Sequence, residues 1–356
     1  MAKKKKRKRR FRPRRLLRLS RRLAQAALQW LRYRVGEYCL RGFVRVLPRT
    51  SPSLVNLFTA AAEKTTFVLL RKYRIRMEEN IAVAMAGEFP FPEQRQALVR
   101  RIWTNFSKGL LETLWMMHAS KAEIVSRVAL EGEEHLQRAL AAGKGVIALS
   151  AHLGNFTMIG ARLAAAGYSF SVVVKHPGDR RFARLIDDYR AQLGIKTISA
   201  KPRSEAVRGI LKAIRANGIV LVVADEFKSE GIEVDFFGRR SPVPRGPATL
   251  ALRTGAATLP MFATRDDRGR LTLRIGPRIE LIDRGDREQN VAANTALFTQ
   301  HLEAAVRRYP DQWNWLGFYR DGREPRMARQ RALRRQLKTR RAASSSGASP
   351  KQDSPI

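Results

Sequence analysis

Two residues of this chain with side chains that can hold a proton stand directly after its most apolar runs, His152 and Asp225. His152 comes just after the apolar run Val146-Ile147-Ala148-Leu149, and Asp225, followed by Glu226, closes a second apolar run over 219–224. Short apolar runs of this kind read as buried strands. The turns that leave their C-terminal ends are where open α/β sheets bind ligands. An imidazole and a carboxylate brought to one such edge are materials for general acid–base catalysis. His152-Leu153-Gly154-Asn155 breaks the first run, and residues 156–166 then carry helix formers until Gly167 stops them. His152 is therefore expected in a strand-to-helix turn. Glu112 is a further acid of interest. It lies within the helical apolar pattern Leu98, Ile102, Phe106, Leu110, Leu114 and Met117, where acids are uncommon. It faces solvent, pairs with an arginine, or faces the site.

The elements that must hold these residues alternate. A strand running into a helix is read over 128–140, and further strand patterns fall at about 146–149, 168–175, 196–199, 219–224, 258–264 and 271–275, with helical patterns between most of them. This predicts an α/β fold with a mostly parallel central sheet covered by helices on both faces. The two most apolar runs should be central, which carries His152 and Asp225 toward the same edge. Residues 51–121 read as helices interrupted at Phe89-Pro90-Phe91-Pro92. Four segments follow: a basic arm over 1–22 expected to be disordered, an N-terminal helical, membrane-facing portion over 23–125, the α/β domain over 126–322, and a basic extension over 323–356, disordered at its end.

Charge dominates the composition. Lys and Arg number 69 against 31 Asp and Glu, a formal net charge of +38. Such a surface favours anionic partners. The stretch over 23–47 sets Leu28, Leu31, Val35 and Tyr38 at helical spacing, with Arg32, Arg34 and Arg41 between them. Charges interrupt it too often for the roughly 20 apolar residues of a spanning helix. A helix lying in a membrane interface fits, as does a helix packed on its own domain with snorkelling arginines. No secretory leader pattern is present. One cysteine, Cys39, excludes an intrachain disulfide and a multi-cysteine zinc site. His118 and His135 have no second ligand at metal spacing, so no metal site is expected. Nucleic acid is disfavoured as a partner, because no helix-turn-helix, zinc-finger, RRM or KH signature accompanies the charge.

Ser150-Ala151-His152-Leu153-Gly154-Asn155-Phe156 resembles the active-site block of the bacterial lipid A biosynthesis acyltransferases, within the wider glycerolipid acyltransferase superfamily. Further blocks resemble the same family in order: Arg76 to Asn80, Gly132 to Gly145, Phe236-Phe237-Gly238, Gly246-Pro247-Ala248 and Pro310 to Trp315. The resemblance implies transfer of an acyl group from a thioester, acyl carrier protein or coenzyme A, to a hydroxyl of a lipid acceptor. His152 would be the general base, and no cofactor or metal would be needed. Gly154 and Asn155 of the matching block, with Lys175 and Glu226, are expected at the substrate, and Arg239, Arg240 and Arg245, set beside the tight turns that Gly238 and Gly246 permit, are candidates to grip an anionic headgroup. The basic arm and the amphipathic, aromatic-bearing segment after it predict peripheral attachment to anionic lipids on the cytoplasmic face of a bacterial inner membrane, and the resemblance adds acyl carrier protein as a partner. The family's hallmark places an acid five residues after the histidine, and this chain has Thr157 there. Three readings stay open. The acid comes from elsewhere (Asp225, Glu226 or Glu112), or the enzyme is slow or altered in substrate, or the chain is a silent relative that binds anionic lipid.

Overall fold

The computed structural model describes residues 13–46, 50, 52–227 and 231–318. The N-terminal portion is helical: α1 (Pro13–Val46), α2 (Pro52–Leu69), α3 (Arg71–Ala84), α4 (Pro92–Met116) and α5 (Lys121–Arg127). The remainder alternates: β1 (Val128–Glu131), α6 (Glu133–Ala141), β2 (Val146–Ser150), α7 (Thr157–Ala165), β3 (Phe170–Val174), α8 (Arg180–Gln192), β4 (Ile195–Ser199), α9 (Arg203–Arg215), β5 (Ile219–Val223), β6 (Ile232–Phe236), β7 (Arg239–Val243), α10 (Gly246–Thr254), β8 (Ala257–Arg265), β9 (Leu271–Ile275) and α11 (Arg287–Arg308). A seven-stranded sheet runs β1-β9-β8-β2-β5-β3-β4, parallel throughout except for the β8–β9 pair.

The α/β fold with a mostly parallel sheet is as expected, and the two most apolar strands sit side by side at its centre. Every residue of β2 is buried, because a central parallel strand has helices on both faces. The period-two alternation of a strand then assigns its side chains to opposite layers. Ile147 and Leu149 pack in one cluster with Phe298, Leu302 and Trp313. Val146 and Ala148 pack in the other with Met158, Ile159 and Leu163 of α7.

Two elements differ from the sequence reading. Helix α1 begins at Pro13, inside the arm expected to be disordered. Residues 14–22 are arginine, leucine and serine with no breaker, and proline suits the first helical position. The rest of that arm (1–12), the last residues of the α/β domain (319–322) and the basic extension over 323–356 lie outside the described residues. The strands on either side of the Phe-Phe-Gly block, absent from the strand patterns above, form a β6–β7 hairpin with that block at its turn. Phe237 and Gly238 both have positive φ, 54° and 69°, as a two-residue hairpin turn of the primed type requires. Phe237 is held there by stacking on Trp313, by tilted and edge-on contacts with Trp315 and Phe318, and by its N–H donating to Glu303.

Candidate active site

Strand register alone brings His152 and Asp225 together. β2 and β5 are parallel neighbours in which Ser150 pairs with Val223. The ladder continues one step further, with Ala224 N–H donating to the Ser150 carbonyl at 2.9 Å. Two residues past each strand, the histidine and the aspartate fall side by side. His152 Nδ1 lies 2.8 Å from Asp225 Oδ1. Asp225 Oδ2 accepts from the His152 backbone N–H at 2.8 Å and from Trp313 Nε1–H at 2.8 Å. The aspartate side chain is only 3% exposed, the imidazole 34%. With Nδ1–H donating to the carboxylate, Nε2 carries the lone pair.

The hydrogen bond to Asp225 raises the His152 pKa above its ordinary value, and burial works against it. Charge on Asp225 and on the exposed Glu226 adds to the rise. The ring also meets Phe156 edge-on, centroids 5.1 Å apart.

The turn carrying His152 is clamped on two sides. Gly154 bridges Ala263 of β8 while Leu153 bridges Trp313. Gly154 N–H donates to Gln312 O at 2.8 Å, and Asn155 N–H to Ala263 O at 2.9 Å. Gly154 has φ of 60°, and a Cβ there would stand 2.1 Å from the Ala263 carbonyl oxygen. No other residue allows that approach.

Thr157 stands outside this pair, in a second polar network. Its hydroxyl donates to Asn155 Oδ1 at 2.5 Å and lies 2.9 Å from Thr113 Oγ1. Asn155 Nδ2 donates to Glu112 Oε2 at 3.0 Å, and Glu112 forms a two-armed ion pair with Arg265 at the end of β8. Glu112 thus both pairs with an arginine and reaches the turn through Asn155. A further anion here would face acceptors, Asn155 Oδ1, which takes the Thr157 hydroxyl, and the Glu112 carboxylate bonded to the same amide. Thr157→Glu should therefore leave acyl transfer within about twofold of wild type, and the unpaired carboxylate should cost about 1–3 kcal/mol of stability. A transfer assay with a denaturation curve checks both. A rise of tenfold or more would show that the missing charge belongs at Thr157.

The arginines expected at the headgroup are not gathered into one clamp. Arg245 is paired with Glu288 at 2.7 Å, which raises its own pKa and lowers that of Glu288. Arg239 and Arg240 are successive residues of β7, opposite Phe236 and Asp235. Successive strand residues point to opposite faces, so the two cannot grip one group together. Lys175 is exposed just beyond β3. Among the described residues no group of three or more His, Cys, Asp or Glu is placed to hold a metal ion.

Sequence reasoning missed Trp313 as a site residue. The only signal for it was its place in the block after α11. Asn80, in another of the quoted blocks, is fully buried and donates to the Trp315 carbonyl at 2.5 Å, so it ties α3 to the segment that carries Trp313.

The sequence profile of bacterial lipid A biosynthesis acyltransferases matches residues 23–317. A phosphatidylinositol mannoside acyltransferase of Mycobacterium tuberculosis is 31% identical over 203 residues, 56% of this chain and 62% of its own length. The protein of that name from Mycolicibacterium smegmatis is 29% identical over 203 residues, covering 54% and 64%. A lipid A biosynthesis acyltransferase of Haemophilus influenzae is 23% identical over 253 residues, covering 69% and 75%. The match to the mycobacterial relatives therefore spans somewhat less than two thirds of their length.

Proposed function

The chain belongs to the bacterial lipid A biosynthesis acyltransferase family, and from that premise we propose that it moves a fatty acyl group from a thioester to a hydroxyl of a membrane lipid. The observation that carries this reading is the His152–Asp225 pair at the sheet edge, with Nε2 left as the base. His152 takes the proton from the acceptor hydroxyl as its oxygen attacks the thioester carbonyl carbon. The C–O bond forms, the C–S bond breaks, and the departing thiolate takes the proton from the imidazolium. Asp225 stabilises that imidazolium and fixes the tautomer beforehand. The carboxylate missing at Thr157 is supplied by Asp225, which favours an active enzyme over a silent relative.

The donor is acyl carrier protein or coenzyme A. The acceptor is a lipid A precursor or a lysophospholipid-like lipid, or, by likeness to the mycobacterial relatives, a glycosylated phosphatidylinositol. Peripheral attachment to the cytoplasmic face of an inner membrane accords with α1, whose Leu28, Trp30, Leu31, Val35 and Tyr38 are all exposed. Among the described residues no helix is long and apolar enough to cross a membrane. The test is transfer of a labelled acyl chain from each donor to a panel of these acceptors, with His152→Ala as the blank. Turnover above the blank on at least one lipid is expected. Wild type indistinguishable from the blank on every pairing would overturn the reading.

A further inference from the structure

α1 and α8 are joined through a fully buried carboxylate. Glu37 accepts from Arg34 at 2.5 Å and from Arg41 at 3.2 Å on its own helix, and from Arg181 of α8 at 2.8 Å. Arg34 also reaches Asp179, the N-cap of α8. Beside this junction opens a cavity of about 470 Å³ lined by Arg41, Arg180, Arg181, Arg184, Leu185 and Asp188. Arg181 engages Glu37 through Nε, and Arg41 through Nε and Nη2, so each keeps further N–H donors on its guanidinium. Among the described residues no carboxylate pairs with Arg180 or Arg184. These two stand one turn apart on one face of α8, an arrangement that is unfavourable without an anion between them. Asp188 is the single opposing charge in the lining.

The surroundings say which anion. Leu28, Leu31, Val35 and Tyr38 form an exposed apolar stripe along α1, and Arg41 continues it at helical spacing. An apolar stripe ending in a group of cations matches a molecule that is apolar along its length and anionic at its head. α8 also follows the C-terminal end of β3, the sheet edge that holds His152. We propose that the α1–α8 cavity binds the phosphate of an anionic membrane lipid, its acyl chains lying along α1. Arg180 and Arg184 form the open half of the clamp, and Glu37 fixes the other two arginines in place. The site is read by binding alone, so it stands or falls apart from acyl transfer.

The test titrates the full chain with dioctanoyl phosphatidic acid, following the fluorescence of tryptophan, Trp30 being exposed on α1. Arg180→Gln/Arg184→Gln should weaken saturable binding about tenfold or more, on the scale of two charge-assisted hydrogen bonds. Arg253→Gln/Arg268→Gln removes the same charge from exposed positions elsewhere and should change binding less than about twofold. Asp188→Asn should tighten it. Equal losses in the two double variants would mean that the general field of a +38 chain attracts the lipid, which overturns the site. Inorganic phosphate or glycerol 3-phosphate binding as tightly as the lipid would overturn the lipid assignment, and weaker binding by Asp188→Asn would overturn the clamp.

Discussion

Asp225→Asn should lower acyl transfer by about three to four orders of magnitude, close to the loss from His152→Ala. The reason lies in the three groups that meet the carboxylate. Oδ2 accepts two N–H donors, from the His152 backbone and from Trp313, while Oδ1 accepts one from the imidazole. An amide has only one acceptor oxygen. Turned toward the two fixed donors, it presents its NH₂ to Nδ1. The imidazole must then accept at Nδ1 and carry its proton on Nε2, where the base is needed. The variant should stay folded, and nitrogen NMR of the imidazole should report the exchanged tautomer. In the wild type, kcat/KM should fall as pH drops through a His152 pKa held above the usual value of about 6.5, because the protonated ring cannot act as a base. Asp225→Asn removes the largest cause of that elevation, so the acid limb of its residual activity should move to lower pH. An unmoved limb with the wild-type tautomer would exclude Asp225 as the orienting residue.

The contrast between Asp225 and Thr157 marks where the sequence was legible. The apolar runs of β2 and β5 show plainly as strands, since burial on both faces leaves only apolar side chains. That the two strands are neighbours in matching register is a long-range fact that local periodicity does not carry. Asp225 was accordingly one of three candidate acids until the sheet order was known. Thr157 drew attention through its spacing from His152, yet α7 aims its hydroxyl at Asn155 and Thr113. Trp313 had no signal of its own because its bond to Asp225 joins segments 88 residues apart. Arg239 and Arg240 show the same limit of local reading: they are adjacent in sequence, and in a strand adjacency separates side chains.

Glu112 is another of the candidate acids, and removing it should have the largest effect on stability. Arg265 is 7% exposed and Glu112 27%. Glu112→Ala would leave a nearly buried guanidinium without its anion, at a cost of about 3–5 kcal/mol. Arg265→Ala should cost less, because the carboxylate it abandons reaches water and keeps the Asn155 amide. Replacing both, as Glu112→Leu with Arg265→Met, should recover most of the loss, since two apolar side chains of similar volume need no partner. Urea denaturation of the four proteins measures this order, and equal costs for the two single variants would show that burial does not set it. The same variants separate structure from catalysis. Asn155 would lose a partner, but the His152–Asp225 contact belongs to β2 and β5 and does not pass through Glu112. Folded Glu112→Ala should thus keep a His152 pH profile like that of wild type, with turnover reduced far less than in Asp225→Asn. A loss as deep as that of Asp225→Asn in the folded protein would transfer the orienting role to Glu112.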